Sequence, residues 1–228
     1  MKLYFLVEGI SSEMKAYPEW IKAYLPTLKR HDNITSFMEA DSGTYFFSGR
    51  GYPSIINEIE KSIEEIKKTG NVDYFFIIMD ADDDEVTARQ ELVQSELAKC
   101  SVPERLKVVI TIQKRCFETV LMGNKVSLPR HPQTELLKTY YRYYNAAVDD
   151  PELMGNYSGD FTHSQFHFKY AITAFRERRI NYSKSNCASI ATKEYFQKIC
   201  ERIDKDSHLQ SMRPLVDALD EISTLVTG

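Results

Sequence analysis

No run of about 18 apolar residues occurs in this chain, so no membrane-spanning helix is expected. Cysteine is scarce: Cys100, Cys116, Cys187 and Cys200 lie far apart, and no CxxC pair occurs. That spacing predicts reduced thiols in a cytoplasmic protein and no structural zinc. HExxH is also missing, although His163 and His167 stand four residues apart. Neither sign of charge is in excess: 29 Lys and Arg against 33 Asp and Glu leave a formal net charge of -4. A global pull on nucleic acid or anionic membranes is excluded, and binding to polyanions would need a local patch. The apolar part of the N-terminus is too short for a signal peptide and meets Glu8 at once. Tryptophan occurs once, but 14 Tyr and 12 Phe with 43% hydrophobic residues argue for a packed chain rather than a disordered one.

The most informative stretch runs from Val72 to Glu85. The apolar run Tyr74-Phe75-Phe76-Ile77-Ile78-Met79 stops at Asp80, and five acidic residues fall within six positions. Such a run reads as a strand covered on both faces, as in a parallel sheet. Asp80 and Asp82 then leave the sheet at its carboxyl edge, where open α/β sheets bind ligands. Clustered carboxylates are costly there unless a cation neutralises them. Oxygen-only ligands favour Mg2+, Mn2+ or Ca2+. The plainer alternative is a solvated helix start with Asp80 or Asp82 as its cap.

The rest of the chain supplies the frame. Leu3 to Val7 is a first strand ending in Glu8-Gly9. Ser11 or Ser12 caps a helix reaching Leu28, with Pro18 best placed in a first turn. Ile34 to Met38 is a second strand, and Asp41 to Tyr52 a loop rich in Gly and aromatics. Pro53 opens a helix that stops at Gly70-Asn71. The acidic strand follows, then a helix to Lys99 and a strand over Leu106 to Ile112. The order β-α-β-α-β-α-β predicts an α/β fold with a mainly parallel four-stranded sheet flanked by helices. A short helix over Lys114 to Leu121 opens from the fourth strand. Beyond it only helical or irregular segments are expected, over 134–147, 164–179, 187–204 and 212–226. The division is therefore an α/β domain over 1–124 and a helical C-terminal region over 125–228.

Leu6-Val7-Glu8-Gly9 and Ile77-Ile78-Met79-Asp80-Ala81-Asp82 together resemble the Toprim domain of topoisomerases, primases and small nucleases. The resemblance covers about residues 2–112. Within that family the chain is most similar to compact bacterial Toprim-like proteins and to the Toprim nucleases of anti-phage defence. There an Arg-x-x-Glu-type helix follows, similar to Arg115-Cys116-Phe117-Glu118 here. The resemblance implies a Mg2+ (or Mn2+) site at Glu8, Asp80 and Asp82, and cleavage of DNA or RNA. It also leaves a regulatory ATPase open as a partner. Asp80 and Asp82 would hold the ion, with Glu8 as a further ligand or as general acid or base. Arg115 would bind the scissile phosphate and Glu118 would join the acidic cluster; a local i, i+3 ion pair is the alternative.

Gln165 to Lys193 carries Lys169, Arg176, Arg178, Arg179, Lys184 and Lys193 interleaved with Phe166, Phe168, Tyr170, Phe175 and Tyr182. Basic groups among aromatics suit nucleic-acid backbones and single strands, and Arg178, Arg179 and Lys184 are the candidate contacts. An amphipathic helix with a solvated basic face accounts for the same pattern. Two other functions fit the acidic edge. One is a phosphatase or phosphotransferase with Asp80 as nucleophile. The other is a non-catalytic module that holds a cation or a basic partner.

Overall fold

The structure is a computed structural model that describes residues 1–227. Its centre is a five-stranded sheet of β1 (Lys2–Val7), β2 (Arg30–His31), β3 (Gly43–Ser48), β4 (Tyr74–Asp80) and β5 (Lys107–Gln113). The spatial order is β2-β3-β1-β4-β5, and every neighbouring pair is parallel. β1 and the first six residues of β4 are buried throughout, as their unbroken apolar runs require of strands covered on both faces. The chain leaves β1 toward β3 on one side and later returns to β4 on the other. The crevice between β1 and β4 is therefore the topological switch point, where such sheets hold ligands.

The α/β class and the parallel sheet are as the sequence predicts, but the strand count is five rather than four. Ile34 to Met38 is not a strand. It lies in helix α2 (Ile34–Glu39), with Asn33 Oδ1 accepting the Ser36 amide and only Phe37 of the helix buried. The segment from Asp41 to Tyr52 is not all loop, because it contains β3. Pairing with β1 overrides its loop-like composition, and Phe46 stacks on Phe5 at 4.5 Å between ring centres. Gly43 has φ +137°, and a Cβ there would lie 2.4 Å from the Lys29 carbonyl. That glycine permits a close strand approach and is no mark of a flexible loop.

Two hydrophobic layers cover the sheet. On one face Tyr4, Leu6, Phe75 and Ile77 meet Ile55, Ile59, Ile63 and Ile66 of α3 (Ser54–Thr69) and Val93 of α4 (Val86–Lys99). On the other, Leu3, Phe5, Phe76 and Ile78 share one cluster with α1 (Glu13–Tyr24) and the chain beyond residue 116. α1 starts a turn before Pro18 and runs through it, held by the buried stripe Ala16, Tyr17, Trp20 and Ile21. The later helices are α5 (Phe117–Leu121), α6 (Glu135–Tyr143), α7 (His163–Glu177), α8 (Lys193–Asp206) and α9 (Arg213–Thr227).

The C-terminal helices are stitched to the sheet half. Trp20 Nε1 donates to the Ile190 carbonyl at 2.8 Å, and its ring stacks on Phe196 at 4.9 Å. Buried Arg202 donates to the carbonyls of Met122, Ala146 and Asp149. The tyrosines of α6 behave as packing residues, with Tyr140 and Tyr141 both stacking on Tyr170. All four cysteines are free thiols. Among the described residues no helix is long and apolar enough to cross a membrane.

Candidate active site

Glu8 leaves β1 and Asp80 ends β4, on adjacent strands. The Glu8 amide donates to the Ile78 carbonyl, which places its side chain over the switch point. Glu8 Oε2 accepts the Asp80 amide at 2.9 Å, and Oε1 accepts the Tyr52 amide at 3.1 Å. The carboxylate therefore ties the ends of β1 and β4 to the loop after β3. Asp80 Oδ1 accepts Gln113 Nε2 at 2.9 Å, and Oδ2 accepts the Phe117 amide at 3.3 Å. Gln113 is set in turn by the Tyr17 hydroxyl, which donates to its Oε1. Asp82 has φ +52° and accepts Ser164 Oγ from the start of α7 at 2.9 Å.

Glu8, Asp80, Asp82 and Glu118 line one pocket of about 760 Å³, together with Glu13. That volume is ordinary for a small-ligand or substrate site. Glu118 is buried in α5 and accepts the Tyr182 hydroxyl at 2.7 Å. Glu13 opens α1, where it reads as a plain first-turn acid, yet it is buried. Ser12, at the cap position, does not cap the helix; its hydroxyl donates to Glu13 Oε2 at 3.0 Å. Gly9 makes room for that carboxylate, since a Cβ there would fall 1.9 Å from Glu13 Oε2.

Asp160, exposed in the loop before α7, is a sixth carboxylate on the lining, and the other five repel each other and lose hydration. Burial holds the Glu8 carboxyl up at about 7; the Asp82 charge adds to the rise, and the amides of Asp80 and Tyr52 oppose it. Asp80 lies well above the usual carboxylate range, first through burial and then through Glu13, Glu8, Asp82 and Glu118. Glu13 is raised by burial and by Glu118, against its hydrogen bonds and the Lys184 charge. The Cys116 thiol at the pocket wall is pushed up by burial, Glu118 and Asp80, which keeps it protonated.

Arg115 is not on the α5 helix. It has φ +74° in the bend after β5, because the helix starts only at Phe117. Its Nη1 donates to the Asp82 carbonyl at 3.2 Å, and the Asp82 amide donates back to the Arg115 carbonyl. It braces the Asp82 loop and does not line the pocket. Nor does it pair with Glu118, whose partner is Tyr182. Of the basic candidates, only Lys184 reaches the pocket. Arg178 Nε is spent on the Val126 carbonyl, beside a separate cavity, and Arg179 follows the helix end with φ +56°. Asp83 and Asp84 face outward to His163 and Arg89. His163 and His167 share no site, because His167 is turned into the core between Thr119 and the Met154 carbonyl.

Sequence reasoning missed Glu13, Asp160 and Arg50, and placed Lys169 in the basic segment without choosing it as a contact; all four line the pocket. Gly9, four residues before Glu13, is the one local sign that a side chain approaches there. Three residues of the surrounding loops, Arg50, Asp82 and Arg115, are non-glycine yet left-handed. Strain of this kind, about 1–3 kcal/mol each, collects where loops are held for function.

Among the described residues no group of three or more His, Cys, Asp or Glu side chains is arranged to hold a metal ion. The donor chemistry nevertheless fits a hard divalent cation. The pocket offers carboxylate oxygens, the ligands such an ion prefers, and the raised proton affinity of Glu8 and Asp80 comes first from burial and then from the neighbouring carboxylates. Comparison with protein-family models, with curated proteins and with solved structures gave no match.

Proposed function

We infer that this pocket is a divalent-cation-dependent phosphoryl-transfer site, acting as a nuclease on DNA or RNA. The observation that carries the reading is the gathering of Glu8, Asp80, Asp82, Glu13 and Glu118 at the switch point, with Arg50, Lys169 and Lys184 at its margin. Phosphate chemistry needs little covalent help but much charge stabilisation and positioning. Asp80, Asp82 and Glu8 are the residues that would hold Mg2+ or Mn2+. The ion supplies charge neutralisation at the phosphate and a more acidic bound water. The lip cations would orient the flanking phosphates. Glu13, with raised proton affinity and hydrogen-bonded by Ser12, would accept the proton of the attacking water as the water oxygen bonds to phosphorus and the bond from phosphorus to the departing strand oxygen breaks. The Glu8-Gly9 and Asp80-x-Asp82 resemblance to Toprim nucleases supports the same chemistry.

The test is cleavage of labelled DNA and RNA by purified protein with Mg2+, Mn2+ or chelator. Cleavage only with metal, lost by at least a thousand-fold in Asp80→Asn with the circular-dichroism spectrum unchanged, is the expected result. Intact substrates under every metal condition would overturn it. Trapping of a phosphoaspartate at Asp80 would assign the phosphatase chemistry instead.

A further inference from the structure

The wall facing the carboxylates is aromatic and basic. α7 and the loop before it bring Phe161, Phe168 and Lys169 to the pocket, and the turn after α7 brings Lys184. The Lys169 ammonium lies 4.8 Å from the Phe161 ring centre, and Lys184 lies 6.0 Å from that of Phe168. Both distances lie within cation–π range. Neither lysine, nor Arg50 on the opposite lip, has an ion-pair partner within 4.0 Å among the described residues. Phe161 packs partly against the core, but Phe168 belongs to neither hydrophobic cluster. Core packing therefore explains Phe161 in part but not Phe168, whose ring meets Lys184 instead. Ile10, 69% exposed, adds an apolar contact on the β1 side.

We propose that this wall selects single-stranded nucleic acid, with an unpaired base stacked on Phe168 beside Phe161 and neighbouring phosphates paired to Lys169 and Lys184. The proposal rests on the phosphoryl-transfer reading for what happens at the acidic floor. An aromatic face can be used only by a base that is out of a duplex stack. Cations alone would read any polyanion, and the acidic floor alone would repel one. Aromatic faces with unpaired lysines beside them fit a base joined to phosphate, which neither set explains by itself. The overall charge of -4 makes this local patch the means by which a polyanion is held.

The test is binding, measured by fluorescence anisotropy in chelator so that chemistry is silent. The probes are labelled oligothymidylate of about a dozen nucleotides, its duplex with oligoadenylate, and thymidine monophosphate. The single strand is expected to bind at least ten-fold tighter than either other probe. Phe168→Leu keeps apolar bulk but removes the ring, and is expected to weaken single-strand binding by about ten-fold, the scale of one lost base stack. Phe168→Trp restores it. Lys169→Gln lowers the slope of log affinity against log salt by about 0.7, one single-strand phosphate contact. Equal binding of duplex, no binding of oligothymidylate, or wild-type affinity in Phe168→Leu would overturn the proposal. Adding Mn2+ separates the two readings. Cleavage that is indifferent to Phe168 sinks the single-strand selection and leaves phosphoryl transfer standing. The expected binding pattern without any cleavage does the reverse.

Discussion

Replacing Glu8 by Gln should change how stability depends on pH, in the direction set by its raised carboxyl. The Glu8 carboxyl moves from its usual 4.5 to about 7 on folding. Between those values the folded chain holds a proton that the unfolded chain has released, so stability falls as pH rises through the window. At 1.36 kcal/mol per unit, the cost is about 0.8 kcal/mol at pH 5 and about 3.3 kcal/mol at pH 8. Glu8→Gln removes the ionisation. Its amide group also faces one backbone N–H that the carboxylate accepted, but that loss is the same at every pH. The variant should therefore gain about 2.5 kcal/mol on the wild type between pH 5 and pH 8. The wild-type profile alone is no test, because His167 opposes it. Burial lowers His167 from 6.5 to about 4, so its share of stability is lost as pH falls through 6.5. Comparing the two proteins cancels that term. Urea unfolding at both pH values, in chelator and followed by the single tryptophan, supplies the four free energies. A variant whose advantage over wild type is the same at pH 5 and pH 8 would refute the assignment of Glu8 as a buried, charge-crowded acid.

Three further outcomes follow from packing. Trp20→Ala removes the ring stacked on Phe196 and the bond to Ile190, and should cost about 3–5 kcal/mol in urea unfolding followed by circular dichroism. Arg202→Lys cannot reproduce the planar fork that meets three carbonyls, and should lose about 3 kcal/mol, close to the loss in Arg202→Ala. Gly9→Ala should leave the urea midpoint almost unmoved, because the atom it strikes is the far end of the Glu13 side chain. Metal-dependent cleavage, however, should fall at least ten-fold, as expected for a displaced proton acceptor.

The parallel sheet was legible because its central strands carry long apolar runs that only a doubly covered strand can hold. Glu8 and Asp80 were legible for the same reason: each interrupts such a run at the carboxyl edge. The edge strands were not, since β2 has two residues and β3 looks like a loop until β1 pairs with it. Asn33 gave a local cap signal for α2 that the apolar residues Ile34, Phe37 and Met38 obscured. Glu13 was hidden because helix-start acids are usually solvated; only the tertiary approach over Gly9 buries it. Arg115 was misplaced because a left-handed residue before α5 breaks the helical spacing that ties Arg to Glu. The basic segment was read as one patch, but the end of α7 divides it, sending Lys184 to the pocket and Arg178 to another cavity.

The bond from Trp20 to Ile190 joins positions 170 apart in sequence. A growing chain exposes its acidic residues, from Glu8 to Glu118, well before Tyr182, Lys184 and Phe196 have been made. During that interval one side of the sheet stays bare, and the carboxylates stand in open water. The pocket is thus complete only once Lys184 has been made and α7 has packed over the sheet.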